Sequence, residues 1–207
     1  MRPFTPITAV AAPLLRDHID TDAIIPSREI KSVSKTGLAE GLFAGWRYLA
    51  GAGREANPEF VLNDPHFGDA RILLAGANFG CGSSREHAVW ALAEYGFQVL
   101  IASSFNPIFF RNCVRNGVLP AAMTAAAIAE VAAAVAAGPR EHPVTVDLEA
   151  QTVRIGKRPH WPFTIPAEAR AALLSGLDAI DATLALRATI EAFRAADRRK
   201  RPWVYGV

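Results

Sequence analysis

The chain has 207 residues, of which 51% are hydrophobic and 20% charged, with a formal net charge of +2. That balance fits one large globular domain, or a domain with an appended lobe, and is too mild to point to nucleic acid. Two cysteines, Cys81 and Cys113, cannot build a four-thiolate metal site or supply an iron–sulfur cluster, and they read as free thiols of a reducing cytoplasm.

In chain order, Ile7 to Leu15 reads as a first strand, β-branched at its start. The apolar N-terminal run is short and broken by Pro6 and Pro13, so it gives no signal peptide. No stretch approaches the roughly 18 apolar residues of a membrane span. The polar turn "RDHIDTD" follows, then a short apolar run, Ala23 to Pro26. Residues 27–59 are irregular and lack a clear apolar face: "SREIKSVSKTG" is a polar loop, "LAEGLFAGWRYLA" weakly helical, "GAGREANPEF" a Gly/Pro loop. So long a non-periodic stretch inside a domain serves a function or a partner.

"ARILLA", Ala70 to Ala75, is a buried strand. Between Ser84 and Tyr95, the residues Ala88, Ala91, Leu92 and Tyr95 recur at i, i+3, i+4 and i+7, which predicts a helix stopped by Gly96. "FQVLIA", Phe97 to Ala102, is a second buried strand. Strand, helix and strand in so short a span predict a βαβ unit and a parallel pair. "SFNPIFFRNCVRNG" predicts a short helix with Pro107 near its first turn, ending at Gly117. "VLPAAM" is a third strand. An alanine-rich helix follows, capped by Thr124 and stopped by Gly138. "VTVDLEAQTVRIG" alternates as a hairpin turning at "LEAQ". "PFTI" adds a strand, Pro166 opens a helix through Leu174, and a last helix covers about Asp181 to Ala196. Arg194, Arg198, Arg199, Lys200 and Arg201 crowd its end. They read as a solvated helix end favoured by the dipole, or as a docking patch for an acidic partner. The whole reads as a single domain over 1–207, with an irregular segment over 27–59 and a C-terminal helical extension over 178–207.

The chemistry concentrates in "GANFGCGSSREHAVWAL", Gly76 to Leu92. A strand that runs through a glycine-rich turn into a helix aims unpaired N–H groups and the helix dipole at an anion. Gly80 and Gly82 let the backbone curl close, and Arg85 adds a fork suited to a carboxylate or phosphate. The phosphate signatures fail: no P-loop string occurs, and Arg85 holds the place of a third dinucleotide-binding glycine. The nucleophile elbow GxSxG is absent too. Ser83 and Glu86 also fit an ordinary capping box, in which Ser83 satisfies a backbone N–H and Arg85 faces solvent. The two roles are compatible, because a helix start that holds an anion also stabilises a serine alkoxide. His87 reads as a packed histidine rather than a ligand.

"NFGCGSSREHAVWAL", with "HIDTDAIIP" (His18 to Pro26) and "FNPIFFRNCVRNGVLP" (Phe105 to Pro120), resembles the small subunits of bacterial 3-isopropylmalate dehydratases, in the aconitase superfamily. The likeness continues through "GLFAGWRYL", "NPEFVLN", "VDLEAQTV" and "GLDAIDATL". It implies an α/β fold, the aconitase-type swivelling β/β/α domain, with a partly parallel sheet and flanking helices. It implies that this chain binds no cofactor, while a separate large subunit carries a [4Fe–4S] cluster. The reaction implied interconverts 2-isopropylmalate and 3-isopropylmalate through 2-isopropylmaleate, in leucine biosynthesis. Carried onto this sequence, the motif makes Ser83 the alkoxide base and Arg85 a binder of a substrate carboxylate, with Ser84 and Gly82 of the same turn beside it. Arg16, just before His18, falls where relatives place another substrate-contacting arginine, and reads equally as a salt-bridged loop residue. Ile30 or Val33 would meet the isopropyl group, or simply pack. The partners implied are the large subunit and a small hydroxy diacid, with no nucleic acid and no membrane. Two alternatives stay open: a subunit acting on citramalate or homoaconitate, and an anion-binding module without turnover.

Overall fold

The computed structural model describes residues 1–30, 34–51 and 53–206. Two four-stranded sheets share one core. The first is parallel throughout, in the order β2 (Ala11–Leu14), β3 (Ile72–Ala75), β4 (Val99–Ala102) and β5 (Leu119–Ala122). Every residue of β3 and β4 is buried, as parallel strands covered on both faces must be. Pro13 and Pro120 fall on β2 and β5, the two edges, where a missing ladder N–H is tolerated. The second sheet is antiparallel, in the order β1 (Ile7–Ala9), β6 (Val144–Asp147), β7 (Thr152–Ile155) and β8 (Trp161–Pro162).

The single strand predicted over Ile7–Leu15 is therefore two, divided at Val10. β1 pairs with β6, and β2 with β3. Both halves are apolar, so composition alone does not show that the chain changes sheets. The predicted βαβ unit is present. α3 (Glu86–Tyr95) joins β3 to β4 and is closed by Gly96 at φ 120°. α4 (Pro107–Arg115) and α5 (Ala125–Ala136) follow, capped by Asn106 and Thr124, whose side chains accept backbone N–H bonds. The β6–β7 hairpin turns where expected. "PFTI" is less regular than predicted: β8 is two residues long, and Thr164 bridges to Ala122 instead.

Two other expectations change. The apolar run Ala23–Pro26 belongs to a one-turn helix, α1 (Thr21–Ile24), started by the Asp20 carboxylate accepting from Ala23 N–H at 2.6 Å. The segment 27–59 does have an apolar side, but not a periodic one. Leu38, Leu42 and Phe43 are buried, and Phe43 stacks on Trp46 at 5.7 Å in the one-turn helix α2 (Ala44–Arg47). Three consecutive N–H groups, of Gly37, Leu38 and Ala39, donate to the Glu94 carboxylate at 2.6, 2.5 and 2.9 Å. They tie this segment to the outside of α3.

After α6 (Ala167–Ser175) the predicted terminal helix is broken at Leu186 into α7 (Ala179–Ala185) and α8 (Arg187–Lys200). No residue of 177–206 is buried.

Candidate active site at the carboxyl ends of the parallel strands

In a parallel sheet the loops leaving the carboxyl ends of the strands gather in one crevice. Here three loops meet there, those after β2, β3 and β4. The loop after β2 runs alongside the glycine-rich turn after β3 as an irregular extension of the sheet. Gly76 N–H donates to Arg16 O at 3.0 Å, His18 N–H to Ala77 O at 2.8 Å, Gly80 N–H to Ile19 O at 2.8 Å, and Thr21 N–H to Cys81 O at 2.9 Å. Side chains complete the seam. Asp17 accepts from Ala77 N–H at 2.6 Å, and Thr21 Oγ1 donates to Ser83 O at 2.9 Å. On the other flank, the loop after β4 takes Asn78 N–H on Ser104 Oγ at 2.8 Å and donates Asn106 N–H to Phe79 O at 2.9 Å.

Two glycines are required by this fit. A Cβ on Gly76 would lie 2.1 Å from Asp17 Oδ1. Gly80 has φ 73°, and a Cβ there would enter the Phe109 ring, 2.1 Å from Cγ. Phe109 is buried and packs edge-on against Phe79 at 5.4 Å.

The turn presents Gly82, Ser83 and Ser84 to solvent. The Ser83 hydroxyl has no hydrogen-bond partner among the described residues, whereas its carbonyl accepts from both Thr21 Oγ1 and Arg85 N–H. The capping box is not formed. The helix begins at Glu86, so Ser83 lies two residues too early and Arg85 occupies the cap position without a side-chain bond to the helix start. The Glu86 carboxylate instead accepts from Asn116 Nδ2 at 2.8 Å, and Asn116 Oδ1 accepts from Trp90 Nε1 at 3.1 Å. This lashes α3 to the end of α4 and removes Glu86 from the turn.

Arg85 is not solvent decoration. Its guanidinium donates to Asp22 in an ion pair whose side chains are 27% and 58% exposed respectively. The Arg85 hydrogen bond, outweighing partial desolvation, holds the Asp22 carboxyl below the usual carboxylate range, and Ser27 Oγ adds a second donor at 3.2 Å. One nitrogen of the fork is thus engaged. The other donors remain for a ligand.

Arg16 is exposed, and among the described residues it makes no salt bridge. Its guanidinium lies over the Trp46 ring, 4.6 Å from the centroid, which fixes a long side chain by cation–π contact. Ile30 is half-buried and packs against the core, and Val33 lies outside the described residues. His87 packs its ring against Trp90 at 4.8 Å, as a packed histidine does. Among the described residues no group of three or more His, Cys, Asp or Glu side chains is placed to hold a metal ion.

Sequence reasoning missed Asp22, Thr21 and Trp46. The first two stand in the quoted "HIDTD" motif, whose acidic spacing was the available signal. Their partners, however, are 63 and 62 residues away.

The aconitase C-terminal domain family model matches residues 1–126. The 3-isopropylmalate dehydratase small subunit of Cupriavidus necator is 56% identical over 205 residues, covering 99% of each chain. That of Rhodospirillum centenum is 45% identical over 207 residues, covering 100% of each. Among solved structures, 3-isopropylmalate dehydratase of Methanocaldococcus jannaschii is 27% identical with a TM-score of 0.65, over 92% of this chain and 99% of that one.

Proposed function

The chain belongs to the aconitase C-terminal domain family, and we propose that it is the swivelling small subunit of a 3-isopropylmalate dehydratase, a hydro-lyase completed by a large subunit. Together they interconvert 2-isopropylmalate and 3-isopropylmalate through 2-isopropylmaleate. Near-full-length identity to small subunits of that name supports this reading. A cytoplasmic setting suits the two free thiols.

The observation that carries the site assignment is the exposed, unbonded Ser83 hydroxyl in the turn that Arg85 closes. Dehydration of a malate-like acid removes a weakly acidic C–H proton next to a carboxylate. Ser83 Oγ takes that proton. A serine is a poor base unless its alkoxide is stabilised, and the guanidinium and helix start just beyond it supply positive potential. Charge then builds on the adjacent carboxylate, where the free donors of Arg85 and the N–H groups of the Gly82–Ser84 turn bind more tightly than in the ground state. Asp22 keeps the fork aimed, and Arg16, held on Trp46, serves the second carboxylate. The hydroxide leaves toward the large subunit, whose [4Fe–4S] cluster would supply the Lewis acid. Two cysteines are too few thiolates for such a cluster, so its ligands are assigned to the large subunit.

The test is anaerobic mixing with the cognate large subunit and assay with 2-isopropylmalate, with citramalate and homoaconitate alongside. Ser83→Ala should lower kcat by several orders of magnitude without loss of complex, and near-normal turnover would remove the base assignment. Arg85→Lys keeps charge but loses the planar fork, so kcat/KM should fall markedly. Complex formation without turnover on any of the three acids would favour the anion-binding module.

A further inference from the structure

The large apolar side chains of the two sheets are buried or, like Ile7 and Trp161, packed against the core, yet the C-terminal arm carries seven that are exposed. Ile180, Leu184, Leu186, Ile190, Phe193, Trp203 and Val204 are 38–71% exposed. On α7, Ile180 and Leu184 stand at i and i+4. Leu186, Ile190 and Phe193 stand at i, i+4 and i+7, so they form one stripe along α8. Seven such side chains on one short arm go beyond the single scattered exposures of an ordinary surface, and an exposed apolar cluster bordered by polar residues marks an interaction site.

A second stripe borders it. Arg187, Arg194, Arg198 and Arg201 follow one another at helical spacing, interrupted by Glu191. Over 187–201 six cations stand against two carboxylates, and one of these, Asp197, is already occupied by Arg201 at 2.7 Å and Tyr205 at 2.8 Å. That last pair folds the 3₁₀ turn Pro202–Tyr205 back on α8 and sets Trp203 outward, 71% exposed. Two copies of so basic an arm repel when laid together, and among the described residues no segment carries a comparable excess of carboxylates. The complementary occupant is a surface with an apolar floor and an acidic rim.

We propose that α7, α8 and the terminal turn form a docking arm, and that its occupant is such a groove on the large subunit. This rests on the two-chain reading above. The arm holds the subunits together by apolar burial, and the basic stripe steers their encounter. It does not take part in the chemistry.

The test uses the full chain with the intact large subunit and two readouts, the Kd of the pair and amide exchange over 179–200. The double variant Ile190→Glu/Phe193→Glu changes only exposed side chains and should keep the wild-type melting temperature. It should raise Kd at least about tenfold, as loss of central apolar anchors does. Ala188→Glu, on the opposite face of α8, should leave Kd unchanged. Exchange over 179–200 should slow when wild-type chain meets the large subunit. If wild type binds and turns over but the double variant binds equally well, the arm is not the dock, while the dehydratase reading stands. If wild type neither binds the large subunit nor turns over with it, that reading itself falls. Binding of the wild-type arm to phosphatidylserine vesicles, or a dimer of the isolated chain, abolished by the double variant with subunit Kd unmoved, would assign the arm to a membrane or to self-association and overturn the proposal.

Discussion

Gly80→Ala is the sharpest probe of the turn that carries Ser83. The substitution meets two obstacles. The residue sits at φ 73°, where a side chain costs about 1–2 kcal/mol. Its Cβ would lie 2.1–2.5 Å from three atoms of the Phe109 ring. Contact at van der Waals distance requires that ring to withdraw by more than 1 Å. It is 2% exposed and wedged against Phe79, so it has no free space to enter. Overpacking of this kind costs about 1–3 kcal/mol more. The sum, about 2–5 kcal/mol, corresponds to a fall in melting temperature of about 4–20 °C for a domain of this size. Thermal and urea unfolding of the isolated chain measure it. In a Phe109→Ala background the clash disappears, so the cost of Gly80→Ala should drop to the backbone contribution, with a coupling of about 1 kcal/mol or more. Gly82→Ala is the internal comparison: φ is 85°, but the nearest atom is 3.4 Å away, so only the backbone cost applies. A Gly80→Ala chain that melts within about 2 °C of wild type, or strictly additive double mutants, would refute the packing argument.

Asp22→Ala releases the guanidinium that Asp22 holds, and misplacing a substrate clamp by an ångström costs up to about 100-fold. kcat/KM of the assembled enzyme should fall about 10–100-fold, and a value equal to wild type would show that Asp22 does not aim Arg85. Glu94→Gln loses the charge that three N–H groups address. After discounting for solvent exposure the cost is about 1 kcal/mol by urea unfolding. Partial desolvation pushes the Glu94 carboxyl up, but those N–H groups outweigh it and hold it below its ordinary value. Its stabilisation is therefore present above the unfolded value near ~4.3 and lost as pH falls through the lower folded one, so the acid-side decline in stability should be shallower in Glu94→Gln than in wild type.

What was legible in the sequence was whatever its neighbours specify. The β6–β7 hairpin carries its own alternation, α4 and α5 announce themselves by Pro107 and Thr124, and the βαβ unit around α3 follows from two apolar runs and a helical face. What was not legible depends on a distant partner. Val10 divides a mostly apolar run because β3 and β6 claim different halves of it. Ser83 and Glu86 have capping-box spacing, but Asn116 takes the glutamate, and Thr21 fixes the serine's carbonyl. Phe43 is buried without any period, by stacking on Trp46 and packing at a tilt against Phe60. The glycine-rich turn itself was visible, since it runs from a buried strand into a helical face with glycine, serine and arginine close together. That Asp22 governs the arginine was not.

The change of sheet at Val10 also orders the birth of the molecule. Once Ala122 has been synthesised, all four strands of the parallel sheet exist and the crevice can assemble. β1 must wait for Val144–Asp147, since Ile7 pairs with Val146. Closing so long a loop is slow, and until it closes a bare strand edge is open to other chains. The nascent protein is thus most prone to clump after its crevice has taken shape and before its second sheet has.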